Sequence, residues 1–260
     1  MNWSKAKSVL IFFFVIINVF LFYTILGRSL NNYYVSKETV NNTVDILKNN
    51  GIIVDKDIIP RRIQSASQFE ADNIIGSYEE FAKKMLGDNY LKISDTEFKG
   101  EIGSISYFGD KFIFKTNYSG DTSKSESNLL SILNSYGITL KDYTYTDGCF
   151  KKIIDGKKVY DCELSFDFTP ENVLMIYGVW FEKKSDTITT DAELKSAASV
   201  LVDFLSVPDR PQGEVTINNI ELGYMIYETE NFHKSIVPIS AWEITLSSGE
   251  KIYLDARSND

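Results

Sequence analysis

One histidine and two cysteines are all that this 260-residue chain offers of the side chains most used in nucleophilic and metal chemistry. Any Ser–His–Asp or Cys–His arrangement would have to use His233. That residue sits in the polar stretch YETENFHKS, between two predicted strands, and reads as a surface-loop residue. Two cysteines cannot supply the four ligands of a structural zinc, and their spacing is not C-x-x-C. G-x-S-x-G, H-E-x-x-H, a Walker loop and a D-x-D-x-D-G cage are all missing. Acids are plentiful, but no pair stands out for acid–base work. The sequence therefore argues against an enzyme and calls for no cofactor or metal. Basic charge is also short: 27 Lys and Arg face 36 Asp and Glu, for a net charge of −9. That balance argues against nucleic acid and anionic polymers as direct ligands. Pro60-Arg61-Arg62 is the one local basic spot, and it reads either as a dock for an acidic partner or as a solvated turn.

In contrast to these shortages, the chain has a long apolar run. Val9–Leu26, VLIFFFVIINVFLFYTIL, contains no charged residue. As a helix it would rise about 27 Å, close to the roughly 30 Å hydrocarbon core of a bilayer. Lys5 and Lys7 precede it without an acid, so the positive-inside rule keeps residues 1–8 in the cytoplasm and exports the chain from about Arg28 onward. The run is too long for a signal peptide and has no small-x-small cleavage site after it, which favours a retained anchor over 9–26. Trp3 and Tyr23 sit near its two ends, where amphipathic rings favour the interface. Asn18 lies mid-span. A buried amide in lipid is costly unless it pairs, so Asn18 reads as a contact with a partner helix or as an amide bonded to its own backbone.

The exported part is long enough for one large or two small domains. Helical periodicity appears over Leu30–Asn49, Ser67–Leu86, about Ser125–Tyr136 and Asp191–Leu205. Strands are predicted at Ile52–Val54, Tyr90–Lys99, Ile102–Phe108 and Lys111–Tyr118, then Thr139–Asp147, Phe150–Ile154, Val159–Phe168 and Asn172–Lys183. The last are Glu214–Glu228, Ile236–Leu246 and Lys251–Ala256. A helix followed by an antiparallel meander thus recurs three times, which predicts an α+β fold. The polar stretch SGDTSKSE divides it into an N-terminal domain over 31–120 and a C-terminal domain over 121–260. In the strand at Val215 the apolar phase shifts from odd to even positions, which calls for an extra residue at Asn218-Asn219.

Cys149 and Cys162 flank Asp155-Gly156, a strong two-residue hairpin signal. With that turn, Ile154 faces Lys157 and Cys149 faces Cys162, as a non-hydrogen-bonded pair about 4.5 Å apart at Cα. A disulfide is then feasible though strained. A three-residue loop would misalign the two, and a pair of adjacent buried thiols is the alternative.

Two segments resemble the YycH/YycI family. The start, MNWSKAKSVLIFFFVIINVFLFY, is similar to the YycI-type lead running straight into one membrane span. The end carries Gly223-Tyr224, Pro238 to Trp242 and Gly249 to Ala256, in the order of that family's closing strands. The resemblance implies a single-span regulator of Gram-positive bacteria, with helix-plus-meander modules likened to PepSY domains. It implies association with a sensor histidine kinase of WalK/YycG type and with a YycH-like protein, in control of cell-wall metabolism. A dimer is compatible with it, and the sign of regulation is not implied. The rival expectation is a membrane-tethered PepSY-like module that inhibits an extracellular protease or binds wall fragments.

Overall fold

Serine caps start three of the helices. Ser36 accepts from the Thr39 amide, Ser77 from Glu80 and Ser196 from Ser199, each satisfying a donor that the first turn leaves open. In this computed structural model the described residues are 7, 10–22, 34–184, 190–192, 194–208, 210–211, 213–226 and 235–257. Residues 10–22 form helix α1. Then come α2 (Lys37–Asn49), β1 (Ile52–Val54), β2 (Ala66–Gln68), β3 (Ala71–Asn73), α3 (Tyr78–Leu86), β4 (Tyr90–Lys92), β5 (Glu97–Gly100), β6 (Gly103–Phe108) and β7 (Lys111–Asn117). Helix α4 (Glu126–Ser135) leads into β8 (Tyr143–Thr146), β9 (Cys149–Ile154), β10 (Lys157–Phe168), β11 (Val173–Gly178), β12 (Phe181–Lys183) and β13 (Thr190–Ala192). Helix α5 (Ala197–Asp203) precedes β14 (Val215–Met225), β15 (Ile239–Leu246) and β16 (Lys251–Asp255). The result is an α+β fold with a large, mostly antiparallel sheet and few helices.

The chain forms two compact units, neither of them continuous. One comprises Met1–Gln64, Leu194–Ile220 and Ile244–Ile252; the other comprises Ser65–Glu193, Glu221–Glu243 and Tyr253–Asp260. The division expected at 120/121 does not coincide with this one. β7 and β11, on either side of that point, pair from Asn117↔Val173 to Phe112↔Gly178 within the second unit.

In the first unit α2 buries Val40, Thr43 and Leu47 and lies against α5, which buries Ala197, Ala198, Val200 and Leu201. β1 runs parallel to the start of β14, with Ile52 opposite Val215 and Val54 opposite Ile217, all four buried.

In the second unit the strand order is β10-β11-β7-β6-β5-β4, and β8 and β9 follow on from β10. Register sorts the residues into faces, because side chains alternate along a strand. One row across the inner face runs Phe98, Ile105, Phe114, Ile176 and Phe166, all at most 1% exposed. Helices α3 and α4 pack on this face: Phe81 meets Phe112 at 5.1 Å and Tyr136, just past α4, meets Phe114 at 4.9 Å. Tyr78 stacks on Tyr107 at 4.2 Å, and the Tyr107 hydroxyl donates to the Tyr78 carbonyl. At roughly 1.5–3 kcal/mol per buried large apolar side chain, this row is a principal source of the unit's stability.

Three sequence expectations are corrected by the structure. The helix expected from Ser67 begins at Tyr78, because Ser67 and Phe69 lie in or beside β2 and the chain then turns. The Asn73 side chain accepts from the Ile75 amide, and Gly76 takes φ +57. β2 pairs with β13, and β3 with β12, more than a hundred residues away. The helix expected from Asp191 likewise starts at Ala197. The hairpin register that would oppose Cys149 to Cys162 holds only as far as Lys158↔Ile153; beyond it Glu163 faces Lys151 and Ser165 faces Cys149. Five steps along β10 match two along β9, so three extra residues bulge out, with Asp161 at φ +57. The bulge carries Val159 to a parallel bridge with Tyr224 on β14. The phase change in β14 appears as expected: Val215 and Ile217 are buried, Asn218 and Asn219 exposed, and Ile220, Leu222 and Tyr224 buried.

Candidate docking surfaces

Helix α1 exposes apolar side chains on every side, from Ile16 at 47% to Leu10 at 72%. Within it Asn18 Nδ2 donates to the Phe14 carbonyl at 2.8 Å. Lys7 is helical and exposed. Trp3, Lys5 and Tyr23 lie outside the described residues, as do residues 24–26. Among the described residues no helix is long and apolar enough to cross a membrane; the described part of the span expected over 9–26 is residues 10–22.

The second surface is the outer face of the sheet in the second unit. Its rows come from the same register. Leu91, Lys99, Ser104, Lys115, Met175 and Asp167 form one. Glu97, Ser106, Ile113, Tyr177, Ser165 and Cys149 form the next. Ile113, Met175 and Tyr177 are half-buried, with exposed Lys115 and Asp167 beside them and exposed Glu97 and Lys99 further along the same rows, an apolar centre with a polar rim of the kind that interfaces use. Polar bonds order part of it. Lys124 Nζ lies 3.1 Å from Asp167 Oδ1, and the Tyr177 hydroxyl donates to Asp167 Oδ2 at 2.9 Å. The Lys124 ammonium, with the Tyr177 hydroxyl beside it, holds the Asp167 carboxyl below its ordinary value against a partial desolvation.

The two thiols belong to opposite faces. Cys149 is half-exposed on the outer face, its Sγ 3.1 Å from Ser165 Oγ. Cys162 is buried, and its Sγ accepts from the Phe181 amide at 3.4 Å. Burial pushes its pKa up to about 12. Both are free thiols, so the disulfide expected from the hairpin gives way to two separate cysteines. Arg61, singled out as basic, donates from Nε to the Val35 carbonyl, and its own carbonyl accepts from the Val35 amide; it ties down the segment ahead of α2. His233 lies outside the described residues. Among the described residues no group of three His, Cys, Asp or Glu is placed to hold a metal ion.

A charged group that sequence reading missed lies on the inner face. Lys152, 1% exposed, bonds Glu182 Oε2 at 2.5 Å and the Lys141 carbonyl at 2.9 Å. Its ammonium lies over the Trp180 ring, whose Nε1 donates to Glu182 Oε1. In KKIIDGKK it looks like one more surface lysine. Only its alternation with Phe150 and Ile154 hinted at an inward direction.

The C-terminal motif residues are core rather than surface. Tyr224, Trp242 and Ala256 are at most 1% exposed. A Cβ at Gly223 would come within 2.6 Å of the Lys158 carbonyl oxygen and 2.5 Å of the Tyr160 ring, so only glycine fits this close approach. Tyr253 packs on Tyr160 at 4.9 Å. β16 ends the strand order. Its residues from Ile252 to Asp255 are half-buried, and Arg257 pairs with Asp255 at 2.6 Å.

The described residues form an α+β protein with a large, mostly antiparallel sheet and few helices. A family model described as YycI protein matches residues 30–257, and the chain belongs to the YycI family. That membership speaks for a two-component regulatory protein rather than an enzyme. No curated protein matches the chain. A crystal structure of an uncharacterized protein from Eubacterium rectale is 14% identical over 86% of this chain and 98% of that one, at a TM-score of 0.44.

Proposed function

We propose that this chain is a non-enzymatic, membrane-anchored regulator that binds a sensor histidine kinase of WalK/YycG type, together with a YycH-like protein, and adjusts cell-wall two-component signalling. The observation that carries the reading is the YycI family match over residues 30–257. Residues 9–26 act as a single span with the N-terminus in the cytoplasm, an assignment supported by the charge-free run behind Lys5 and Lys7 and by the apolar side chains that α1 exposes all round. The span packs against the kinase spans. The exported units bind by stoichiometric contact, for which the half-buried apolar residues Ile113, Met175 and Tyr177 on the outer face offer a surface.

Crosslinking and pull-down of the full-length protein from its native membranes tests this. The expected result is recovery of a sensor histidine kinase, lost when residues 9–26 are replaced by an unrelated span. Recovery of a secreted protease or wall polymer, without a kinase, would overturn it and leave a tethered inhibitor instead.

A further inference from the structure

Asn18 has more hydrogen-bonding capacity than its own helix uses. A carboxamide carries two N–H donors and a carbonyl acceptor. One N–H goes to the Phe14 carbonyl, four residues back, at 2.8 Å. This contact also fixes which end of the amide is which, since a carbonyl can only accept. One N–H and Oδ1 are left on an exposed side chain, in a helix whose other exposed side chains are apolar.

We infer that Asn18 joins two copies of this chain in the membrane through a reciprocal amide pair. Copies inserted by the same rule run parallel and hold Asn18 at the same depth. Across a two-fold axis the free N–H of each copy meets Oδ1 of the other. Two bonds form, and each amide keeps its bond to Phe14. A symmetric pair needs one donor and one acceptor from the same side chain, and that is what the Phe14 contact leaves. A serine or threonine in its place, with a single hydrogen bonded back to the i−4 carbonyl, would have no donor to return. Residues three, four and seven positions away share the face of Asn18: Ile11, Phe14, Val15, Leu21 and Phe22, exposed at 48–68%. They are bulky, and there is no GxxxG, so the contact is side-chain packing around a polar centre rather than close backbone approach.

The inference rests on reading residues 9–26 as a span, and the test separates the two. Full-length protein, labelled at the N-terminus with donor or acceptor fluorophores, is reconstituted into phosphatidylcholine–phosphatidylglycerol vesicles and floated. Energy transfer is then followed against the protein-to-lipid ratio. The wild type is expected to float and to self-associate. Asn18→Leu should float and need a roughly 5- to 30-fold higher ratio for the same transfer, the equivalent of the 1–2 kcal/mol of a membrane amide contact. Asn18→Gln, which keeps both groups, should stay near the wild type. Equal transfer by Asn18→Leu and wild type, or no transfer by the wild type at any ratio, overturns the pair while leaving the span intact. Failure of the wild type to float overturns the span and the pair with it.

Discussion

The two faces of the sheet in the second unit are written by the same strands under different rules. Phe98, Ile105, Phe114, Ile176 and Phe166 cross the inner face almost without exposure; their immediate chain neighbours Lys99, Ser104, Lys115, Met175 and Asp167 cross the outer one. Substitutions on the first row should act on folding, and those on the second should test the proposed recognition. The residues that carry the sequence resemblance side with the core: Tyr224, Trp242 and Ala256 are buried, and Gly223 sits where a Cβ would meet the Lys158 carbonyl.

The comparison breaks most visibly if an inner residue proves dispensable. Phe114→Ala should cost about 3–5 kcal/mol, read from the urea midpoint; a loss below about 1 kcal/mol would mean that the inner face is not the core. The charged member of that face comes next. Glu182→Ala strands the Lys152 ammonium 1% exposed and should cost about 3 kcal/mol. Lys152→Met combined with Glu182→Leu should cost less than Glu182→Ala alone, because no buried charge is left without its partner. If the double variant is the worse of the two, the pair contributes net stability.

Thiol chemistry sharpens the contrast without changing a residue. At pH 8 a maleimide should label Cys149 in the native protein and reach Cys162 only after unfolding, since burial pushes that thiol to about 12. Two thiols inert until reduction would instead restore the disulfide. On the outer face, Lys99→Glu with Lys115→Glu should leave the unfolding free energy within about 0.5 kcal/mol while reducing recovery of the partner protein. Unchanged recovery would remove this row from the docking surface. The smallest effect belongs to Asp167. Its carboxyl is held low by Lys124 and Tyr177, so the contribution is present above the unfolded carboxylate pKa of about 3.9 and is lost as pH falls through the lower folded value. Exposure of the pair, 46% and 51%, keeps it small. Asp167→Asn should therefore flatten the acid limb of the stability curve slightly; a larger change at pH 7 than at pH 3 is the expected sign.

Much of this was legible in the sequence where structure is local. The β6–β7 hairpin comes from Gly109-Asp110, α4 from its apolar spacing and the stop at Gly137, which takes φ +72, and the phase change in β14 from two adjacent asparagines. The features that stayed hidden depend on partners far along the chain. β2 and β3 are three residues each, and they are strands only because β13 and β12 pair with them; locally, FEADNIIGSYEEFAKKM has helical spacing. The cysteine register failed because a bulge between Lys158 and Glu163 serves a strand more than fifty residues later, through Val159↔Tyr224. Alternation along β10 showed that Ser165 and Asp167 share a face, but which strands lie beside them is set by the topology. Asn18 was visible by composition alone, and its free N–H and acceptor only once the bond to Phe14 was known.

The chain passes between its two units five times, at 64/65, 193/194, 220/221, 243/244 and 252/253. Three of those passages fall inside β14, β15 and β16 rather than in linkers. No single cut releases either unit with all of its segments, and no single fusion point could add one of them to another gene. A fragment chosen for expression by length alone would leave one unit without the strands it needs to fold.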